Sequence, residues 1–116
     1  MRLEAGAKLV SPVIIGEGCT VKAGARVGRM AVVGPGCTIA AGSVIEESVL
    51  QEGCVLDENV TVRRSIVAKR AFLGAGTIVD GGAIIGEDAR VEGDNILTNH
   101  IRLYPGTVIP EGSNRF

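Results

Sequence analysis

Beginning at Leu3, an aliphatic side chain recurs at every sixth residue: Leu9, Ile15, Val21, Val27, Val33, Ile39 and Ile45. One step of five leads to Leu50, Leu56 and Val62. A second step of five leads to Val67, Leu73, Val79, Ile85, Val91, Leu97, Leu103 and Ile109. All 19 positions hold Leu, Ile or Val. This is not the 3.6-residue period of a helix, and a fixed internal period points to a repeat architecture. Two residues before the next aliphatic, most units carry a small side chain, such as Ala25, Ala31, Cys37, Ser43, Thr77 or Ala83. Residues two apart on a strand share a face, so both of these point inward and the residue between them points outward.

The third residue after the aliphatic is often Gly (Gly6, Gly18, Gly24 and Gly36 in the early units), with Asn59, Asp88 and Asp94 elsewhere. These residue types tolerate the positive φ that a sharp corner needs. Each hexad is therefore a short strand plus a corner. Three hexads close a triangular coil of about 18 residues that stacks on the next at ~4.8 Å. The expected fold is an all-β parallel β-helix of about six coils, one domain over residues 1–116. The spacing does not set its hand, and general chirality favours right-handed crossovers.

Composition fits such a core. Hydrophobic residues make up 46% of the chain, yet there is no Trp, one Tyr and two Phe, so the interior must be aliphatic. A net charge of −1 offers no footprint for nucleic acid or an anionic membrane. No apolar run has the length of a membrane span and no signal-peptide pattern opens the chain, which suggests a soluble cytoplasmic protein. Three cysteines, an odd count, give no support to a secreted disulfide scaffold.

Stacking at 17 or 18 residues brings distant positions into columns. Cys19, Cys37 and Cys54 fall in one inward column. A single-file row lacks the convergence zinc wants and is poor disulfide geometry, so they read as small core residues, with no metal site. Both five-residue steps fall on one corner and align Arg29, Glu46, Glu47, Arg63, Arg64 and Asp80 as a ladder of alternating charge. Worth ~0.2–1 kcal/mol per pair, such a ladder stabilises and sets register. A third column is outward and apolar: Ile14, Val32, Val49, Ile66 and Ile84. Its companions two residues on are Gly16, Gly34, Gln51, Ala68 and Gly86, small or neutral, whereas other faces carry charges such as Lys8, Arg26 and Arg90. A flat exposed apolar face marks an interface, although β-branched residues also favour strands for their own sake. Pro105, Pro110 and the tail 111–116 are expected to close the last coil, with Ile101 as a plug.

The strings Ile15-Gly16-Glu17-Gly18, Val33-Gly34-Pro35-Gly36 and Ile85-Gly86-Glu87-Asp88 resemble the hexapeptide-repeat family, which implies a left-handed parallel β-helix. Residues 43–50 (SVIEESVL), 74–91 (GAGTIVDGGAIIGEDARV) and 103–112 (LYPGTVIPEG) resemble the C-terminal domain of nucleotide-sugar pyrophosphorylases, of the mannose-1-phosphate guanylyltransferase and glucose-1-phosphate nucleotidyltransferase type. Those enzymes carry their chemistry in an N-terminal α/β domain opening with a GxGTR-type loop, and nothing here matches it. The resemblance implies a non-catalytic domain without cofactor, serving oligomerisation or regulation as a homo-oligomer or against a catalytic domain. Two alternatives stay open. One is a hexapeptide-repeat acyltransferase with His100, the sole histidine, as general base. The other is a stand-alone structural solenoid. His100 occupies the third-after-aliphatic corner, where His, Asn and Asp are enriched for positive φ.

Overall fold

The computed structural model describes residues 2–112. Nineteen short strands, each two or three residues long, run from Arg2–Leu3 to Val108–Ile109. They assort into three sheets in which every pairing is parallel and each strand pairs with the one three places along the chain. The first face has seven strands (Arg2–Leu3 to Val108–Ile109), the second six (Lys8–Leu9 to Ile96–Leu97) and the third six (Val13–Ile15 to Arg102–Leu103). The chain is thus an all-β, left-handed parallel β-helix of about six coils. Seven strands at ~4.8 Å spacing span ~29 Å, in agreement with extents of 33 × 21 × 19 Å.

The repeat is what builds the core. Val21, Val27, Val33, Ile39, Ile45, Leu56, Val62, Leu73, Val79, Ile85, Val91 and Leu97 are all sealed from solvent, as are the small partners Ala25, Ala31, Ala83 and Ala89. In the first of the described coils the inward Leu3 and Leu9 are exposed. Ile101 packs against the core near the opposite end, as a plug would. Of the expected closing tail, residues 113–116 lie outside the described residues.

The short units keep register. Val27 pairs with Ile45, 18 residues on, Ile45 with Val62 and Val62 with Val79, each 17 on, and Val79 with Leu97, again 18 on. Inward aliphatics remain opposite one another throughout, so each missing residue came out of a corner. In both short units the second corner residue, Glu47 or Arg64, takes the positive φ (49° and 47°). In most other units the third residue takes it, including Asn59, Asp88, Asp94 and His100, together with Met30 and Arg70, whose residue types carry no such preference; at Gly81–Gly82 and Asn99–His100 the second and third both do. The corner at Pro12 is reached through a cis Ser11–Pro12 bond.

Inward polar side chains follow one rule. Cys19, Cys37 and Cys54 donate from Sγ to the carbonyls of Gly34, Gln51 and Ala68, each at 3.1 Å. Ser43 donates to Asp57 O (2.8 Å) and Thr77 to Glu92 O (3.2 Å). Each acceptor follows the inward aliphatic of the next coil, at the start of the same corner, where the chain leaves the sheet ladder. In the short units Ser48 and Ser65 reach back within their own coil, to Glu46 O and Arg63 O (2.8 and 2.7 Å). The small inward position is therefore also a hydrogen-bond donor to corner carbonyls, each such bond worth about 1 kcal/mol.

Candidate functional site

On the third face the register places Ile14 beside Val32, Val32 beside Val49, Val49 beside Ile66 and Ile66 beside Ile84. The column ends at Arg102, the next partner of Ile84. All five aliphatics are exposed, from 36% at Val49 and Ile84 to 66% at Ile14. The flanking glycines have a cause inside the chain. A Cβ on Gly16, Gly34 or Gly86 would lie 2.6–2.8 Å from backbone of the next coil, at Pro35, Glu52 and Leu103 respectively. Close stacking of coils thus flattens the face before any partner is considered. The contrast with the other faces is one of degree. Val44, Ile78 and Ile96 also point outward on the second face and Val55 on the first, but Lys8, Arg26, Thr61, Thr20, Thr38 and Arg90 interrupt those columns. The third face alone, among the described residues, runs apolar through five successive coils.

The corner entering this face carries the two short units, and their missing residues leave a notch. A shallow groove of about 320 Å³ is lined there by Met30, Glu47, Arg64 and Gly82, with Val49, Ile66 and Ile84 of the face as its floor. Along the same corner Arg63 pairs with Glu46 (3.1 Å) and Arg64 with Asp80 (2.8 Å). Both arginines are about half exposed (side chains 45% and 59%), which puts each pair in the range of ~0.2–1 kcal/mol. Arg29 and Glu47 join the stack through the backbone, the Glu47 amide donating to Arg29 O at 2.9 Å.

The three cysteines are buried and unbridged. Burial holds the Cys19 thiol above its ordinary value, and contact with Cys54 together with burial does the same for Cys37. Cys19 and Cys37, kept protonated in this way, are poor nucleophiles and poor metal ligands. No group of three or more His, Cys, Asp or Glu able to hold a metal occurs among the described residues, nor does a helix long and apolar enough to cross a membrane.

His100 stands exposed at φ 61°, on the entering corner of the last coil, its amide donating to Gly81 O at 3.0 Å. Its imidazole lies over Gly82, where a Cβ on that glycine would collide with Nδ1. The groove spans earlier coils, and His100 does not line it. Two further pairs join successive coils. On the opposite corner of the third face Arg70 clamps Asp88 with two bonds of 2.8 and 3.1 Å and holds its carboxyl below the usual range. On the first face Arg90 lies over the Phe72 ring at 4.5 Å and bonds Glu92 at 2.6 Å. Stacking at 18 residues aligns Arg70 with Asp88, and that spacing is the signal for the pair in the sequence.

Residues 9–113 match the family model of the GMPPB C-terminal domain. The chain belongs to that family. Solved structures with this fold include a Bacillus cereus protein described as an acetyltransferase, 17% identical, with a TM-score of 0.51 over 94% of this chain and 77% of that one. Another, from Desulfovibrio desulfuricans and described likewise, is 17% identical with a TM-score of 0.58, over 91% of this chain and 26% of that one. At such identity the likeness is one of fold. No curated protein matches in sequence.

Proposed function

We propose that this GMPPB C-terminal-type domain is non-catalytic and serves assembly or regulation of a nucleotide-sugar pyrophosphorylase, through its third face. The observation that carries this reading is the uninterrupted outward column Ile14–Val32–Val49–Ile66–Ile84. Parallel sheets ordinarily have both faces covered, and an apolar strip spanning most of a domain is a surface for a partner. Either a second subunit or the nucleotidyltransferase domain of the parent enzyme suits it chemically. Val49→Asp and Ile66→Asp should leave folding intact, because both side chains already meet solvent, while lowering oligomeric mass or abolishing capture of a catalytic domain supplied in trans. Unchanged mass and unchanged capture in both variants would refute the reading.

Acyl transfer with His100 as base is the second reading, favoured by the two fold neighbours described as acetyltransferases. Against it, His100 serves as a positive-φ corner residue and lies outside the groove. Calorimetry with acetyl-CoA decides: heat of binding, with transfer lost in His100→Ala, would establish the acyltransferase.

A further inference from the structure

The charges bordering the third face are arranged for a second copy of this chain turned end over end. Consider a twofold axis lying along the strands, between the third coil (Val49–Leu50) and the fourth (Ile66–Val67). It preserves strand direction and reverses coil order, so coil three meets coil four of the other copy and coil two meets coil five. Val49 then opposes Ile66 and Val32 opposes Ile84, aliphatic on aliphatic. On the entering corner Glu47 opposes Arg64, and on the leaving corner Glu52 opposes Lys69, with opposite signs at both edges. All four side chains are exposed, and Glu47, Glu52 and Lys69 make no ion pair among the described residues.

The other twofold that packs this face on itself runs along the solenoid axis. It sets each coil against its own counterpart and the entering corner against the leaving one. Glu47 would then meet Glu52, and Arg64 would meet Lys69, like charges at both edges. At the two ends of the strip Ile14 opposes Arg102 of the other copy, so the aliphatic match spans the four central coils. One of three faces on a chain with 5781 Å² of surface offers on the order of 1,000 Å² per copy, enough for a stable interface.

We propose that the third face is an isologous dimer interface in which two solenoids lie antiparallel about a twofold between coils three and four. This rests on the assembly reading above and names its occupant. The test mixes a Val32→Cys chain with an Ile84→Cys chain and a bis-maleimide linker of ~8 Å, suited to sheets packed ~10 Å apart. The native cysteines are at most 1% exposed and stay out of the reaction. The mixture should cross-link to a heterodimer while neither variant cross-links to itself, since the two positions lie three coils, ~14 Å, apart along one face. Glu52→Lys should raise the dimer dissociation constant about tenfold in analytical ultracentrifugation, and Glu52→Lys with Lys69→Glu should restore it. Self-cross-linking of Val32→Cys, or a double exchange that binds no better than Glu52→Lys, overturns the antiparallel pairing. A chain that is monomeric at every concentration overturns it too, but if Val49→Asp still blocks capture of the catalytic domain the assembly role stands. If the third-face aspartates change neither mass nor capture, both fall.

Discussion

Asn95 shows most sharply what the inward polar position does, and it yields a quantitative prediction. Its side chain is fully buried, and Nδ2 donates to Glu92 O at 2.8 Å and Pro110 O at 3.1 Å, with Gly93 O at 3.4 Å. Where Thr77 and Ser43 reach a single corner carbonyl each, the longer amide reaches this corner on its own coil and on the next. Asn95→Ala removes two good hydrogen bonds at ~1 kcal/mol each and leaves a small void worth ~1 kcal/mol, ~3 kcal/mol in all. With a guanidinium m-value of ~3 kcal/mol/M, the unfolding midpoint read by far-ultraviolet circular dichroism should fall by ~1 M. Asn95→Asp keeps the shape but turns the donor into an acceptor facing three carbonyls. At pH 7 it should be the less stable of the two variants, because a buried carboxylate oxygen set against the carbonyls of Glu92 and Pro110 is costly. Its folded pKa is then raised above the unfolded ~3.9, so the penalty is present at neutral pH and shrinks as pH falls toward that value and the proton restores a donor. If Asn95→Asp at pH 7 proves as stable as the parent, or more stable than Asn95→Ala, the donor role assigned to this position is wrong.

Other expectations concern the corners and the core. Gly86→Val would drive a Cβ into the backbone at Leu103 and Pro105, which cannot retreat without separating two coils, and should cost more than ~3 kcal/mol in denaturant unfolding. Arg64→Ala should cost under ~1 kcal/mol, and the deficit should fade in 1 M salt. An undiminished deficit would mean that the arginine acts by packing. Arg70→Gln removes the partner that lowers the Asp88 pKa. A depressed carboxylate stabilises above its unfolded pKa and ceases to as pH falls through the folded one. The parent should therefore exceed Arg70→Gln at pH 7, and the gap should close below about pH 4. The folded chain should resist alkylation by iodoacetamide at pH 8 at all three cysteines and become fully reactive in denaturant. Rapid labelling of Cys37 in the native state would contradict its sealed position.

Much of this architecture was legible because a β-helix converts sequence spacing directly into spatial neighbours. Once Val27, Ile45, Val62 and Val79 are recognised as one inward position, the outward column of the third face and the Glu46–Arg63 pairing follow by counting. The positive φ at Asn59, Asp88 and His100 followed likewise, from residue type and place in the hexad. What stayed hidden depends on atoms that a period does not describe. Cys37 and Ser43 read as small residues, and only the geometry shows that each ties one coil to a carbonyl of the next. Met30 and Arg70 adopt left-handed backbone against their residue type, since the stack fixes the corner whichever side chain stands there. The flatness around Val32 and Ile84 suggested a partner, yet Gly34 and Gly86 are required by the coil above them. The aliphatics and bordering charges, and not the glycines, are what mark this face as an interface.

The two shortened corners bear on how such a chain tolerates insertion and deletion. In an α-helix, losing one residue rotates everything downstream by about 100° and moves the buried stripe to the wrong side. Here the loss after Glu47, and again after Arg64, is absorbed within a single turn of backbone, and Val67 and every later aliphatic arrive where an unshortened coil would have put them. Each coil checks its alignment against the one beneath it, so an error in length does not accumulate along the chain. The corner entering the third face is consequently a place where residues can be removed or loops grafted without rewriting the fold. That lets the contour beside the apolar strip vary while the strip itself stays fixed.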